Sequence, residues 1–202
     1  MQGGARNRRD RPSRQLTEAD CIKFMGSCEA AFAAGRPMNR FITIAWGKGG
    51  IEAKDSVEAT GAFVKRAREW MAAHGYPMPW AWVQESGLNF GQHCHLLLHV
   101  APELDDLFRV MPMRWTKAIL PGLYVKDTID TQKLSAARSA GSNPASYEAQ
   151  ILGKVHYMLK CAPAALEARL DMVGRGHKPW GQSCRVYGKR AGVWQGWERL
   201  VR

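Results

Sequence analysis

Apolar residues recur along this chain with two different periods, and the alternation of those periods lays out its elements. Cys21, Met25, Cys28 and Phe32 return at helical spacing behind Thr17-Glu-Ala-Asp20, a capping-box pattern, and Gly35 closes the segment. Phe41-Ile-Thr-Ile-Ala-Trp46 is β-branched and aromatic and predicts a buried strand, ended by Gly47-Lys-Gly-Gly50. Behind Asp55-Ser-Val-Glu58, the residues Phe63, Val64, Ala67, Trp70 and Met71 predict a second helix that stops near His74-Gly75. Trp80 to Glu85 reads as a strand, and the turn-rich Ser86-Gly-Leu-Asn-Phe-Gly91 folds it back onto a second strand that runs through Val100. Pro102 can open a helix carrying Leu104, Leu107, Phe108 and Met111, which Pro112 ends or kinks. A further helical piece holds Trp115 and Ile119 before Pro121-Gly122. Leu123 to Ile129 is expected as a fourth strand near an edge, residues 131–142 as a loop, and Asn143-Pro144 as the start of a helix reaching Cys161. A short amphipathic helix is expected over Ala164 to Val173.

Strand, helix, strand, strand, helix, strand is the order of a ferredoxin-like or RRM-like unit. The expected fold class is therefore α+β: an antiparallel sheet of four to five strands with helices packed on one face. At 202 residues the chain can build one domain with a substantial core. That domain is assigned to residues 16–173. Residues 1–15 carry Arg6, Arg8, Arg9, Arg11 and Arg14 with almost nothing to bury, and predict a disordered basic arm.

Charge changes the picture more than size does. Lys and Arg number 29 against 18 Asp and Glu, a net charge of +11, which suits a polyanionic partner such as nucleic acid. An anionic membrane surface is the competing partner, but the chain has no apolar run of about 18 residues to span a bilayer and no apolar signal core at its start. Five scattered cysteines with no Cys-X-X-Cys pair argue against a disulfide framework or a four-cysteine zinc site, and point to a reducing, cytoplasmic home. The Gly47-Lys-Gly-Gly50 loop lacks the spacing of a phosphate-binding P-loop.

The candidate chemistry sits on the hairpin. In a strand, alternate side chains share a face, so His93, His95, Leu97 and His99 point one way and Cys94, Leu96, Leu98 and Val100 the other. Folding back the preceding strand brings Glu85 beside the first two imidazoles. Two histidines and a carboxylate suit a divalent cation and leave coordination positions open. His99 lies about 13 Å from His93 along the strand, too far to join the same ion. Downstream, Tyr157 and Lys160 share a helix face at i and i+3, and Lys154 precedes the tyrosine by the same spacing. His156 points away from Tyr157 and reads as surface, and Tyr147 lies ten residues before it on much the same face.

A histidine pair split by one hydrophobic residue, a Glu on the preceding strand and a later Tyr-X-X-Lys helix together resemble the motifs of the HUH endonucleases. The likeness is greatest to the single-tyrosine rolling-circle replication initiators of plasmids and phages. It spans roughly residues 40–195, with its specificity in Glu85, His93, His95, Tyr157 and Lys160. The resemblance implies an enzyme that nicks and rejoins single-stranded DNA, or a DNA hairpin, at a replication origin through a covalent 5′-phosphotyrosine link. It further implies Mg²⁺ or Mn²⁺ at His93, His95 and Glu85, Tyr157 as nucleophile, Lys160 steadying tyrosine or phosphate, and a host helicase for unwinding. Residues 174–202 interleave Trp180, Arg185, Tyr187, Lys189 and Arg190 with glycines, a composition that suits stacked bases and tracked phosphates, with Lys154 as a further DNA contact. Within the same family a single-tyrosine transposase or a mobilisation relaxase is the near alternative. From other classes come a non-catalytic RRM-like single-strand binder and a zinc-stabilised module, the latter needing a fourth ligand that the sequence does not supply.

Overall fold

The computed structural model describes residues 11–87, 90–172 and 185–199. In chain order the elements are β1 (Pro12–Ser13), α1 (Glu18–Ala33), β2 (Arg40–Ile44), α2 (Ser56–Ala73), β3 (Trp80–Gly87), β4 (Gly91–Leu98), α3 (Asp105–Phe108), α4 (Met111–Ile119), β5 (Ile129–Lys133), α5 (Pro144–Met158), β6 (Val186–Tyr187) and β7 (Ala191–Val193). The architecture is α+β. Five strands form an antiparallel sheet in the order β5-β2-β4-β3-β7, and β1 and β6 make a separate two-stranded ribbon.

Local chemistry explains the element starts. Thr17 accepts from the Asp20 backbone while the Asp20 carboxylate accepts from the Thr17 backbone, so α1 opens on the predicted capping box. At α5, the Asn143 side chain accepts from Ser146 N, and Pro144 occupies the first turn, where no donor is needed. The register of the hairpin pairs Glu85 with His93 and Val83 with His95, which fixes the acid and both imidazoles on one face. Gly91 turns the hairpin at φ +60, and Gly47 lies flat beneath it: a Cβ there would stand 3.0 Å from Gln92 N and 3.1 Å from Phe90 O.

Both faces of the sheet are covered, where the sequence predicted helices on one. Ile42, Ile44, Trp82, Leu96 and Leu98 pack under α2 and α4, through Phe63, Val64, Met71 and Trp115. Phe41, Ala81, Val83 and Leu97 pack under α1 and α5, through Phe24, Cys28, Ile151 and Val155. Periodicity marks a helix as amphipathic without saying which sheet face it meets, so α1 and α5 could not be placed from the pattern alone.

Four further expectations are corrected. The strand predicted at Leu123 to Ile129 begins only at Ile129 and runs through residues expected to be loop. Leu123 is 94% exposed, and Asp127 at φ +63 breaks any extended run before Ile129. Pro112 does not end a helix but sits in the first turn of α4. Ala164–Leu166 is a single helical turn rather than the start of a longer helix. The basic arm yields its last residues to structure, since Pro12 and Ser13 pair with Tyr187 and Val186, while residues 1–10 lie outside the described residues. Among the described residues no helix is long and apolar enough to cross a membrane.

Candidate metal centre

Glu85, His93 and His95 meet on the α1/α5 face of the sheet, near where α5 ends, and all three are buried. One ligand atom from each lies within 4.8 Å of the others. His93 Nε2 is 3.3 Å and His95 Nε2 3.6 Å from the same oxygen, Glu85 Oε2. The other ring nitrogens are already engaged. His93 Nδ1 donates to the Gly91 carbonyl at 3.0 Å, and His95 Nδ1 pairs with the Thr43 hydroxyl at 2.9 Å. A carbonyl only accepts, so the His93 proton is on Nδ1 and Nε2 offers its lone pair to the centre. With His95 Nδ1 donating to Thr43, its Nε2 does the same. This is the tautomer a metal-ligating histidine needs, fixed from behind by a hydrogen bond.

Three electron-pair donors aimed at one point call for a cation. His95 Nε2 and Glu85 Oε1 are moreover buried with no hydrogen-bond partner, a costly condition that a divalent ion would relieve. The donor set thus fits a divalent metal ion, with two imidazole nitrogens and a carboxylate as ligands and room for further oxygens. Burial raises the Glu85 carboxyl, yet the acid is held well below the ordinary carboxylate range, with the Lys160 ammonium 2.5 Å from Oε2 favouring its charged form. Burial lowers His95, and the Lys160 ammonium adds to it against the pull of Glu85, so the imidazole is held neutral and ready to ligate.

The helix α5 delivers the tyrosine. The Tyr157 ring centroid is 4.9 Å from that of His95 and 6.1 Å from that of Phe41, both edge-on, and the residue is 47% exposed. Lys160 lies just beyond the end of α5. Its Nζ is 2.5 Å from Glu85 Oε2 and 3.9 Å from the Tyr157 ring centroid, so one ammonium touches both the acid and the phenol. Lys154, a turn earlier, donates to Gln132 Oε1 at 2.8 Å and lies over the Phe41 ring. Beside Lys154 and Tyr157 opens a groove of about 670 Å³ that also includes Thr43, Phe90, His95 and Asp130.

Of the other residues singled out in the sequence, several lie elsewhere. Tyr147 is buried, stacked on Phe32 at 5.4 Å, and its hydroxyl donates to the Met38 carbonyl, so it belongs to the α1–α5 packing. Burial pushes its phenol well up. His156, expected at the surface, is buried. Arg190, expected as a DNA contact, sits as a buried clamp on Ser13. It is only 4% exposed, and its guanidinium donates to the hydroxyl and carbonyl of Ser13, tying β1 to the segment that leads into β7. Tyr187 lies in β6, with Arg185 before it and Lys189 after it. Arg185 and Lys189 are exposed and Tyr187 half-buried in its pairing with Pro12. Trp180 lies outside the described residues.

Thr43 and Phe90 were not anticipated. Thr43 could have been found from strand alternation, because β2 pairs it directly opposite His95. Phe90 is 46% exposed and set edge-on to His93 at 5.8 Å, and its position in a turn gave no such signal. Compared with protein-family models, with curated proteins and with solved structures, the chain gives no match.

Proposed function

We propose that this protein is a metal-dependent endonuclease of the HUH type, which nicks and rejoins single-stranded DNA through Tyr157 and so initiates rolling-circle replication of a plasmid or phage. The observation that carries the reading is the joining of the tyrosine to the metal centre: the Tyr157 ring packs on His95, and Lys160 bridges the phenol to Glu85. A structural zinc module needs no exposed phenol at its ligands, and a passive binder needs neither the ligands nor the lysine. The strand order β5-β2-β4-β3 supports a ferredoxin-like reading of the core, with α2 and the α3–α4 pair as its crossovers.

In this reading Glu85, His93 and His95 would hold a divalent ion, which would supply Lewis-acid polarisation of the scissile phosphate and offset charge gathered in the transition state. Everything else falls to side chains. A phenol is a weak nucleophile, and the Lys160 ammonium, 3.9 Å from the ring centroid, is placed to steady the tyrosine and an incoming phosphate. Tyr157 Oη attacks phosphorus, the P–O3′ bond breaks, and the strand is left as a 5′-phosphotyrosyl ester with a 3′-hydroxyl. That hydroxyl can prime synthesis or attack the ester to rejoin the strand, with no nucleotide cofactor. The open groove beside Tyr157 leaves the phenol reachable by an unpaired strand.

The test is covalent capture. Wild-type protein and Tyr157→Phe are incubated with a randomised pool of single-stranded DNA and Mn²⁺, then denatured and weighed. The expected result is a DNA-sized adduct that disappears with Tyr157→Phe and with chelator. Tight DNA binding with no adduct under Mn²⁺ or Mg²⁺ would reject the nuclease and leave a silent single-strand binder.

A further inference from the structure

Lys160 is drawn to the same carboxylate oxygen that both imidazoles face. Its Nζ is 2.5 Å from Glu85 Oε2, with the lysine side chain 12% and the glutamate 4% exposed. His93 Nε2 and His95 Nε2 stand 3.3 and 3.6 Å from that oxygen. An ammonium so placed neutralises the buried acid as a bound ion would, and it keeps two imidazoles and a carboxylate together. The same oxygen cannot serve two cations at full strength. A divalent ion ligated by both Nε2 atoms and Oε2 would share the space of the ammonium, and positive charges a few ångströms apart in a buried site repel strongly.

We propose that Lys160 is a built-in rival of the divalent ion for Glu85, displaced toward the exposed side of the Tyr157 ring when the ion binds. This deepens the metal-centre reading and rests on it. Three consequences follow from the exchange. The centre keeps its shape without help from an ion, because Lys160 holds it. Ion affinity is lower than the three ligands alone would give. The ammonium, already 3.9 Å from the Tyr157 ring centroid, is freed for the phenol and an incoming phosphate only once the ion is in place, which ties activation of the tyrosine to ion loading.

Mn²⁺ alone is the probe, with binding followed by calorimetry on full-length wild type, Lys160→Met and Lys160→Arg. Accessibility of Lys160 is read separately as its rate of acetylation, by mass spectrometry, with and without Mn²⁺. Lys160→Met is expected to bind Mn²⁺ about tenfold tighter than wild type or better, and Lys160→Arg no tighter. Chelator should lower the melting temperature of Lys160→Met and leave wild type unchanged. In wild type, saturation with Mn²⁺ should raise Lys160 acetylation several-fold while the exposed Lys65 stays constant. If wild type binds Mn²⁺ but Lys160→Met binds no better, or Lys160 stays equally protected, the exchange is overturned and the metal centre stands, the ion then using Glu85 Oε1. If wild type, Lys160→Met and Lys160→Arg all fail to bind Mn²⁺, the metal centre and the exchange fall together.

Discussion

Thr43 does for His95 what the Gly91 carbonyl does for His93: it holds Nδ1 and so aims Nε2. The two supports differ in kind, since one is backbone and beyond the reach of substitution while the other is a single hydroxyl. Thr43→Val keeps the β-branched shape of the strand and removes only that hydroxyl. It should lower Mn²⁺ affinity by roughly 10- to 100-fold, the usual cost of losing a partner behind a metal-ligating histidine, with the melting temperature little changed. Calorimetry on the folded variant decides the matter, and wild-type affinity in Thr43→Val would show that packing alone orients His95. Phe41 gives that packing, its ring stacked on His95 at 5.5 Å.

Among the elements, β4 and α5 were legible because each obeys one clean period. Alternation in β4 sends His93 and His95 to one face and Cys94 and Leu96 to the other, and the structure keeps that division. For α5 the Asn143-Pro144 start was written in residues with a strong mechanical preference; Tyr157 rides on the helix, while Lys160, read in the sequence as part of it, reaches the same side from the turn just past its end. β5 was illegible for the opposite reason. Ile-Asp-Thr-Gln-Lys has no apolar alternation, and the segment is a strand because β2 offers it a ladder along an edge, a tertiary cause that local sequence does not carry. The Gly47 loop shows another limit: glycines signal a turn, but the need for glycine here comes from the hairpin backbone lying against it. Gly47→Ala drives a Cβ into Gln92 N and Phe90 O, which are backbone and cannot swing aside. The expected cost is about 1–3 kcal/mol in urea unfolding, with weakened Mn²⁺ binding as β4 shifts. A variant as stable as wild type would mean that the loop moves away freely.

For the molecule as a whole, acid is the condition that tests the burial of its histidines. His99, just past the end of β4, is buried and donates from Nδ1 to the Pro37 carbonyl at 2.8 Å. Burial lowers its pKa, with Arg36 and Arg40 adding to the effect and the Pro37 bond and Glu103 opposing it. A lowered imidazole contributes stability that is complete above the unfolded value of about 6.5 and is lost as pH falls through that value, because the unfolded chain takes the proton first. His95 shifts in the same direction, so the two add. The urea midpoint should fall between pH 7.5 and 5.5, and His99→Gln should flatten part of the fall. Equal midpoints at both pH values in wild type would contradict the assignment.

The place of β7 carries a consequence for how the centre comes into being. β7 pairs Ala191 with Val83 and Val193 with Ala81, and Gln84 N donates to the Arg190 carbonyl, so the strand bearing Glu85 gains its outer neighbour from residues more than a hundred positions later. As the chain leaves the ribosome, β3 and β4 can close their hairpin early and bring the acid to the imidazoles. Until residues 190–193 emerge, though, β3 remains a bare sheet edge, open to pairing with any other strand. Closure of the sheet beside Glu85 thus waits for residues 190–193, and ion uptake by a half-made chain would take place on an unguarded edge.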